Sequence, residues 1–345
     1  MKTETTPEEV GEPPQPYPAE PLATTLDRIV DFNRRFVHHK HDSTHDLVAL
    51  WVAHSYAMPT WDSTPRLYIT APQEGVGKSN QAKVMEMLCP DSLLTASTSG
   101  PGLFRYISAG SPTLFIDEAE NQFSPHGGRD KEIVTAIINA GHEPGGYVLR
   151  SESNSAVKHP VYAPACIVGA DNGLVPSTTR SRCIPIRMTP GLNVPERFRK
   201  RRHEDFATEM GARLADAAMD WTLIESDLTM RQKQLWEPLF SVAHAAGPEW
   251  VQRVEKAVED HQWTDRASVP ARTPECIYGF FASFGRDRAT ASELAAFISA
   301  DDECPATSAK ALAQIMKGYE VTASKSNGRM TYFLRDLEPV FSTWL

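Results

Sequence analysis

Long apolar runs are missing from this chain: no stretch approaches the roughly 18–20 residues that a bilayer-spanning helix needs, so no membrane segment is expected. The opening residues, MKTETTPEEVGEPPQPYPAEP, have neither the apolar segment of a signal peptide nor the Arg-rich character of a transit peptide. A cytoplasmic location is therefore expected. Cysteine is scarce, with five residues (Cys89, Cys166, Cys183, Cys276 and Cys304), widely spaced and without a C-x-x-C pair. That argues against a disulfide framework and a zinc ribbon, and for buried thiols that behave as small hydrophobes. Positive charge is also short. The net charge is −9, so the whole molecule is no basic coat for nucleic acid. Residues 1–21 hold five Glu against one Lys, and the cations elsewhere are clustered, so any nucleic-acid contact must be local. No internal repeat of 20–50 residues is present.

What remains is ordinary globular composition, 41% hydrophobic and 23% charged over 345 residues, enough for two or three domains. Residues 1–22 contain six prolines and few large apolar residues and are expected to be a disordered tail. An amphipathic helix is predicted from Thr25 to about Val37, and a mostly apolar, core-packed helix over about Asp46–Met58. From Arg66 to Met188 short apolar strands (66–71, 92–97, 113–117, 165–170, 183–188) alternate with helices (78–88, 102–109, 131–140). This predicts a parallel sheet with helices on both faces. A hairpin-like insert occupies 146–164. The expected divisions are a core over 23–194, a helical lid over 195–266 and a module over 275–345, with ASVPARTP (267–274) as the linker.

The segment YITAPQEGVGKSN sets a glycine-rich turn between a strand and a helix, the context a phosphate loop requires. Gly75, Val76, Gly77 and Asn80 would surround the phosphates with backbone N–H groups at a helix N-terminus. Lys78 would bridge the β- and γ-phosphates of ATP, and Ser79 would hold Mg²⁺. Pro72 stands where the full motif has glycine. The strand PTLFIDEAE ends in Asp117-Glu118, 39 residues after Lys78. Asp117 suits Mg²⁺ and Glu118 suits polarising the attacking water. Asn172, at the tip of ACIVGADN, suits a residue that orients water and senses the γ-phosphate. In TTRSRCIPIRM, Arg182 before Arg180 is the candidate arginine finger, which would enter a neighbouring subunit's site.

With these residues in place, the stretch from about Leu67 to Met188 resembles the AAA+ ATPases. Ser181-Arg182-Cys183 is similar to the SRC finger motif of sliding-clamp loaders. The insert at 146–164 resembles in placement the pore hairpin of hexameric viral helicases, which makes Arg150, Lys158 and His159 candidates for tracking DNA. From about Asp46 to Gly247 the chain resembles an uncharacterised ATPase family of actinobacterial phages and prophages, often found behind primase modules. The matching stretches include LVALWVAHSYAM, LYITAPQEGVGKS, PTLFIDEAE and TTRSRCIPIRM. Only about 65 residues precede the first strand, so priming is not expected. The resemblances imply an α/β, AAA+-like P-loop fold with a helical lid, ATP and Mg²⁺ as cofactors, and a ring of subunits, six for the viral helicases.

At the C-terminus two helices opened by Thr290 and Ser308, then a hairpin turning at Asn327-Gly328, look like a winged helix-turn-helix. Lys310 and Lys317 on its second helix, with Lys325 and Arg329 on the wing, are the candidate phosphate contacts. Lesser candidates are the basic run Arg197–Arg202 for DNA, Arg231 for a second sensor arginine, and His38, His39, His41 and His45 for a metal. The expected function is a ring-forming DNA motor of phage-type replication, with helicase as the activity, other replication proteins as further partners and no membrane. The alternatives are a helicase/clamp loader, a nucleotide-switched DNA-binding initiator or regulator, and a phage–host conflict ATPase acting on protein.

Overall fold

The strand–helix alternation after Arg66 becomes a five-stranded, all-parallel sheet flanked by helices. The structure is a computed structural model. It describes residues 17–18, 20–71, 75–110, 112–123, 128–152, 155–170, 174–189, 196–261, 269–299, 308–318, 321–326 and 328–344. The chain divides into two compact units, Met1–Gln262 and Trp263–Leu345. In the first, α1 (Leu22–Phe36) and α2 (Ser43–His54) precede β1 (Arg66–Ala71), α3 (Lys78–Leu88), β2 (Leu93–Thr95), α4 (Gly100–Gly110) and β3 (Leu114–Ile116). There follow α5 (Ala119–Gln122), α6 (Gly128–Ala140), the antiparallel hairpin β4 (Tyr147–Glu152) and β5 (Ser155–Pro160), β6 (Ala165–Ala170), α7 (Ser177–Arg180) and β7 (Cys183–Arg187). Three helices close the unit: α8 (Glu204–Ala218), α9 (Met230–Ala246) and α10 (Pro248–Asp260).

The strand order is β2-β3-β6-β1-β7. Side chains alternate across it as strand geometry demands. Leu67, Ile69, Phe115, Val168, Ile184 and Ile186 join one core with α1, α2, α3 and the helices α8–α10. Helix α2 is buried along its whole length, which is why its apolar residues show no single stripe. Trp250, Val254, Leu239 and Leu214 from the segment after residue 195 belong to the same core.

Arg66 opens β1 and is fully buried, yet its guanidinium meets backbone oxygens rather than a carboxylate. It donates from Nη1 to Ala163 O (2.7 Å) and from Nη2 to Ile138 O (3.1 Å). Ile138 lies in the last turn of α6, where carbonyls lack partners and the helix dipole is negative. Burial still pushes the Arg66 pKa down to about 10.

Among the described residues five histidines are buried in polar company, four of them, His39, His45, His54 and His261, within the core around α2. His39 Nε2 meets Gln81 Oε1 (2.7 Å), tying the loop between α1 and α2 to helix α3, and His45 Nδ1 on α2 meets Asn33 Nδ2 (2.8 Å) on α1. His54 Nε2 meets the Thr64 hydroxyl (3.0 Å), and His261 bridges Thr44 Oγ1 and Pro185 O. Burial holds His39 and His54 down to about 3, and His45 and His261 to about 4, from an ordinary 6.5. The unfolded chain therefore binds protons below pH 6.5 that the folded one refuses. Each histidine contributes stability in full above that pH and loses about 1.4 kcal/mol per pH unit below it. Thermal melts should show the midpoint falling steeply from pH 6.5 to 5, before most carboxylates titrate. A flat midpoint over that window would show that these imidazoles are not shielded.

The second unit runs α11 (Val269–Phe284), β8 (Arg288–Thr290), α12 (Ala291–Ser299), α13 (Ala309–Gly318), β9 (Ser324–Ser326), β10 (Arg329–Phe333) and α14 (Leu334–Trp344). Helix α11 starts inside the proline-bearing segment expected to be a linker, with Pro270 in its first turn, where proline costs no hydrogen bond. The core gathers Ile277, Phe281, Leu294, Leu312, Tyr332 and Leu337 around the antiparallel sheet β8-β10-β9. Thr290 and Glu293 form a reciprocal cap at the start of α12, and the Ser308 hydroxyl accepts from Ala311 N (3.2 Å) at α13. Cys89, Cys166 and Cys183 are buried thiols outside any disulfide, whereas Cys276 is disulfide-bonded, contrary to the expectation of five thiols.

Candidate functional site

In a parallel sheet the loops after the strands share one edge, and here that edge collects the sequence's chemical motifs. Between β1 and α3 the chain turns through Gly75 (φ 76°) and Gly77 (φ 96°), left-handed conformations that glycine adopts without steric cost. Residues 72–74 lie outside the described residues. Lys78 and Ser79 open α3, Lys78 half-buried and Ser79 exposed. Val76 packs against the main core. The Asn80 side chain is committed elsewhere, donating to Phe36 O (2.9 Å) at the end of α1.

At the end of β3, Asp117 N donates to Thr95 O (2.8 Å), holding the residue beside β2. Asp117 Oδ1 accepts the Glu118 N–H (2.9 Å), which leaves Oδ2 for another partner. Glu118 adopts φ 52°, rare for a residue with a β-carbon and a conformation that surrounding contacts must hold. Its carboxylate Oε2 accepts from Asn121 Nδ2 (2.9 Å), so the exposed side chain is oriented rather than loose. Glu120 points the other way, its Oε2 accepting from Ala170 N (3.1 Å) at the tip of β6. Gly169 makes room for it: a β-carbon there would sit 2.6 Å from Glu120 Oε2. Strand β6 thus lies between β1 and β3, so Asp117 is two strand spacings, about 10 Å, across the edge from β1. Asn172 lies outside the described residues.

Arg182 lies at the opposite edge. Its carbonyl accepts Arg66 N (3.0 Å) where β1 begins, so six strand residues, about 20 Å, separate it from the Gly75–Ser79 edge of its own chain. Its Nη1 donates to Thr178 O (2.7 Å) in α7. Burial, then the charge of Arg231, pushes the Arg182 pKa down. Arg231 belongs to this edge as well: its Nη1 donates to Gln234 Oε1 (2.7 Å), and Gln234 Nε2 donates to Glu143 Oε1 (2.6 Å). The Ser63 hydroxyl, just before β1, donates to Gln234 O (2.9 Å). Arg231 therefore cannot sense a phosphate on Lys78 of the same chain. Arg180, half-buried, ends α7 at the same place.

The other cations separate by face. In the hairpin, Arg150 pairs with Val157 and Val148 with His159, so Arg150 and His159 share one face. That face packs on α4, the Arg150 guanidinium 5.4 Å and the His159 ring 4.5 Å from the Phe104 ring. Lys158 is on the other face, over the exposed Tyr147 ring (4.5 Å) beside the exposed Leu149. In the second unit Lys325 pairs with Met330 and Arg329 with Ser326, so these two wing candidates point to opposite faces of the sheet. Lys310 lines a groove with Met330 and Tyr332, on the Lys325 face. Lys317 sits on α13. Within the basic run, Lys200 is bonded to Glu86 (2.8 Å). His39 and His45 are consumed by the buried network, and among the described residues no group of three or more His, Cys, Asp or Glu could hold a metal.

The sequence reading missed Asn121, Glu120 and the company Arg231 keeps. The D-E-A-E-N order carried the first, since Glu118 and Asn121, three apart, meet across one helical turn, whereas the contact of Glu120 with Ala170 is long-range and leaves no local signal. A sequence-family profile described as "Protein of unknown function (DUF3631)" matches residues 187–335, which begin in the last strand of the parallel sheet and run through most of the second unit. Comparison with curated proteins gives no match.

Proposed function

We propose that the protein is an ATP-hydrolysing, ring-forming DNA motor of phage-type replication, built on an AAA+-like core with a helical lid and a C-terminal winged helix. The observation that carries the reading is the shared sheet edge. There a left-handed double-glycine turn opens α3 at Lys78-Ser79, and Asp117 and an Asn121-held Glu118 end a strand two places away. Lys78 and the N–H groups of the turn bind the triphosphate, and Glu118 accepts a proton from the attacking water. Ser79 and Asp117 suit Mg²⁺, an exposed hydroxyl and a carboxylate oxygen left over by the backbone contact, with phosphates and water completing its shell. When bound, the ion neutralises charge on the phosphates. Arg182, being remote from its own Lys78, serves a neighbour. On the outer hairpin face, Lys158, Tyr147 and Leu149 offer charge and stacking to single-stranded DNA.

The test is ATP hydrolysis with and without single-stranded DNA, beside the oligomeric mass. The expected result is turnover that rises several-fold with DNA in an assembled ring. Hydrolysis indifferent to DNA would sink the motor and favour a nucleotide switch or an ATPase acting on protein. No hydrolysis at all would sink the nucleotide site.

A further inference from the structure

The sheet of the second unit has an inner face and an outer one, and its register sorts the side chains between them. Tyr332 pairs with Ala289, and both are buried on the core side. Thr331 pairs with Thr290, Phe333 with Arg288 and Arg329 with Ser326, so these residues share the other face. On that face opens a groove of about 600 Å³ lined by Arg286, Arg288 and Arg329 and by the hydroxyl-bearing Thr290, Ser326 and Thr331. The size is that of a ligand cleft rather than of a packing defect.

Its charge is unbalanced. Glu293 is committed to the cap of α12, accepting from Thr290 N and Thr290 Oγ1 (2.8 Å each), and its other oxygen takes Arg286 Nη1 (3.2 Å). Arg288 and Arg329 are exposed and have no ion pair among the described residues. Asp287 is the one other acid on the lining. Arg329 lies four residues along β10 from the partner of Arg288, which puts their backbones about 14 Å apart. Two guanidinium forks spaced along a strand pair suit an anion whose charge recurs along a chain; the Thr290 and Thr331 hydroxyls are already donated, to Glu293 and to the Arg329 carbonyl, which leaves that of Ser326 beside Arg329.

We propose that this outer face is a nucleic-acid contact in which Arg288 and Arg329 bind successive stretches of phosphodiester backbone. It is separate from the face that carries Lys310 and Lys325. The inference rests on nucleic acid being this chain's partner, as proposed above. Such contacts position the strand and carry no sequence information.

The experiment uses the full chain and fluorescence anisotropy of a labelled single-stranded oligonucleotide and its duplex at several salt concentrations. The double variant Arg288→Glu/Arg329→Glu should bind at least tenfold more weakly. Its slope of log affinity against log salt should be shallower by roughly 1.4 for the single strand and 1.8 for the duplex, two phosphates' worth of counterions. If circular dichroism shows that this variant is misfolded, Arg288→Gln/Arg329→Gln is held to the same slope. Wild-type affinity and slope in the folded variant, with the loss appearing instead in Lys310→Glu/Lys325→Glu or in Lys158→Glu, would overturn the inference and leave the motor reading intact. Displacement of the oligonucleotide by polyglutamate as effectively as by unlabelled DNA would overturn it too, by showing a site for any polyanion. A wild-type chain that binds no oligonucleotide removes both readings.

Discussion

Glu118→Gln is expected to leave ATP bound and almost unhydrolysed, whereas Lys78→Ala is expected to lose the nucleotide itself. The difference comes from when each group acts. A lysine on the phosphates is engaged before any bond breaks, and losing a charged contact of that kind costs about 1.5–3 kcal/mol, a 10–100-fold weaker affinity. A carboxylate that takes a proton from water acts in the transition state, where general bases contribute about 10²–10⁴ in rate. Gln keeps the size of Glu118 and can still meet Asn121 across the turn that now holds Oε2 at 2.9 Å. The left-handed backbone at φ 52° need not change. Nucleotide affinity by fluorescent-analogue titration, read beside phosphate release, separates the two variants. Full hydrolysis in both would remove the site, and a Glu118→Gln protein that cannot bind ATP would show that Glu118 has a structural role.

The parallel sheet was legible because strands buried on both faces read as unbroken apolar runs, and RLYITA and ACIVGA came out with the bounds predicted for them. The glycine-rich turn was legible for a different reason, since two glycines before Lys-Ser fix a backbone shape that few other sequences permit. What pattern reading could not supply was the insertion of β6 between β1 and β3. Strand order depends on long-range packing, and every strand here is apolar enough to be central. Helices α5 and α7 are four residues each, too short to show periodicity. The four lysine and arginine candidates of the second unit looked like one surface because spacing along a hairpin ignores the alternation of faces. Only the pairing of Lys325 with Met330 and Arg329 with Ser326 reveals that they diverge. The histidine-rich run 38–45, a lesser metal candidate, has another use. Its ligand-like spacing serves a buried hydrogen-bond network, in which His39 and His45 meet Gln81 and Asn33.

Arg182→Ala is expected to bind ATP nearly normally and to hydrolyse it about 10³–10⁵ times more slowly, as the loss of an arginine finger does. In the ring proposed above, geometry makes the residue a donor to another subunit. Its carbonyl is fixed to Arg66 N at the start of β1, and Lys78 follows the end of that strand, about 20 Å away. No rotamer of an arginine spans that distance. Two features suit the edge to receive a neighbour's phosphates. Burial, then the nearby charge of Arg231, pushes the Arg182 pKa down, so an arriving anion would favour its charged form. Glu143, the carboxylate beside them, is engaged by Gln234 and His142. Mixing Arg182→Ala with Lys78→Ala protein gives the sharper test, because neither variant works alone. After subunit exchange, some interfaces pair an intact turn from one chain with an intact arginine from the next, and those interfaces should recover ATPase activity. Recovery that depends on total protein concentration would identify the interface as the active unit. Wild-type turnover in Arg182→Ala would pass the role to Arg180 or Arg231 on the same edge. An active monomer would end the trans assignment for all three.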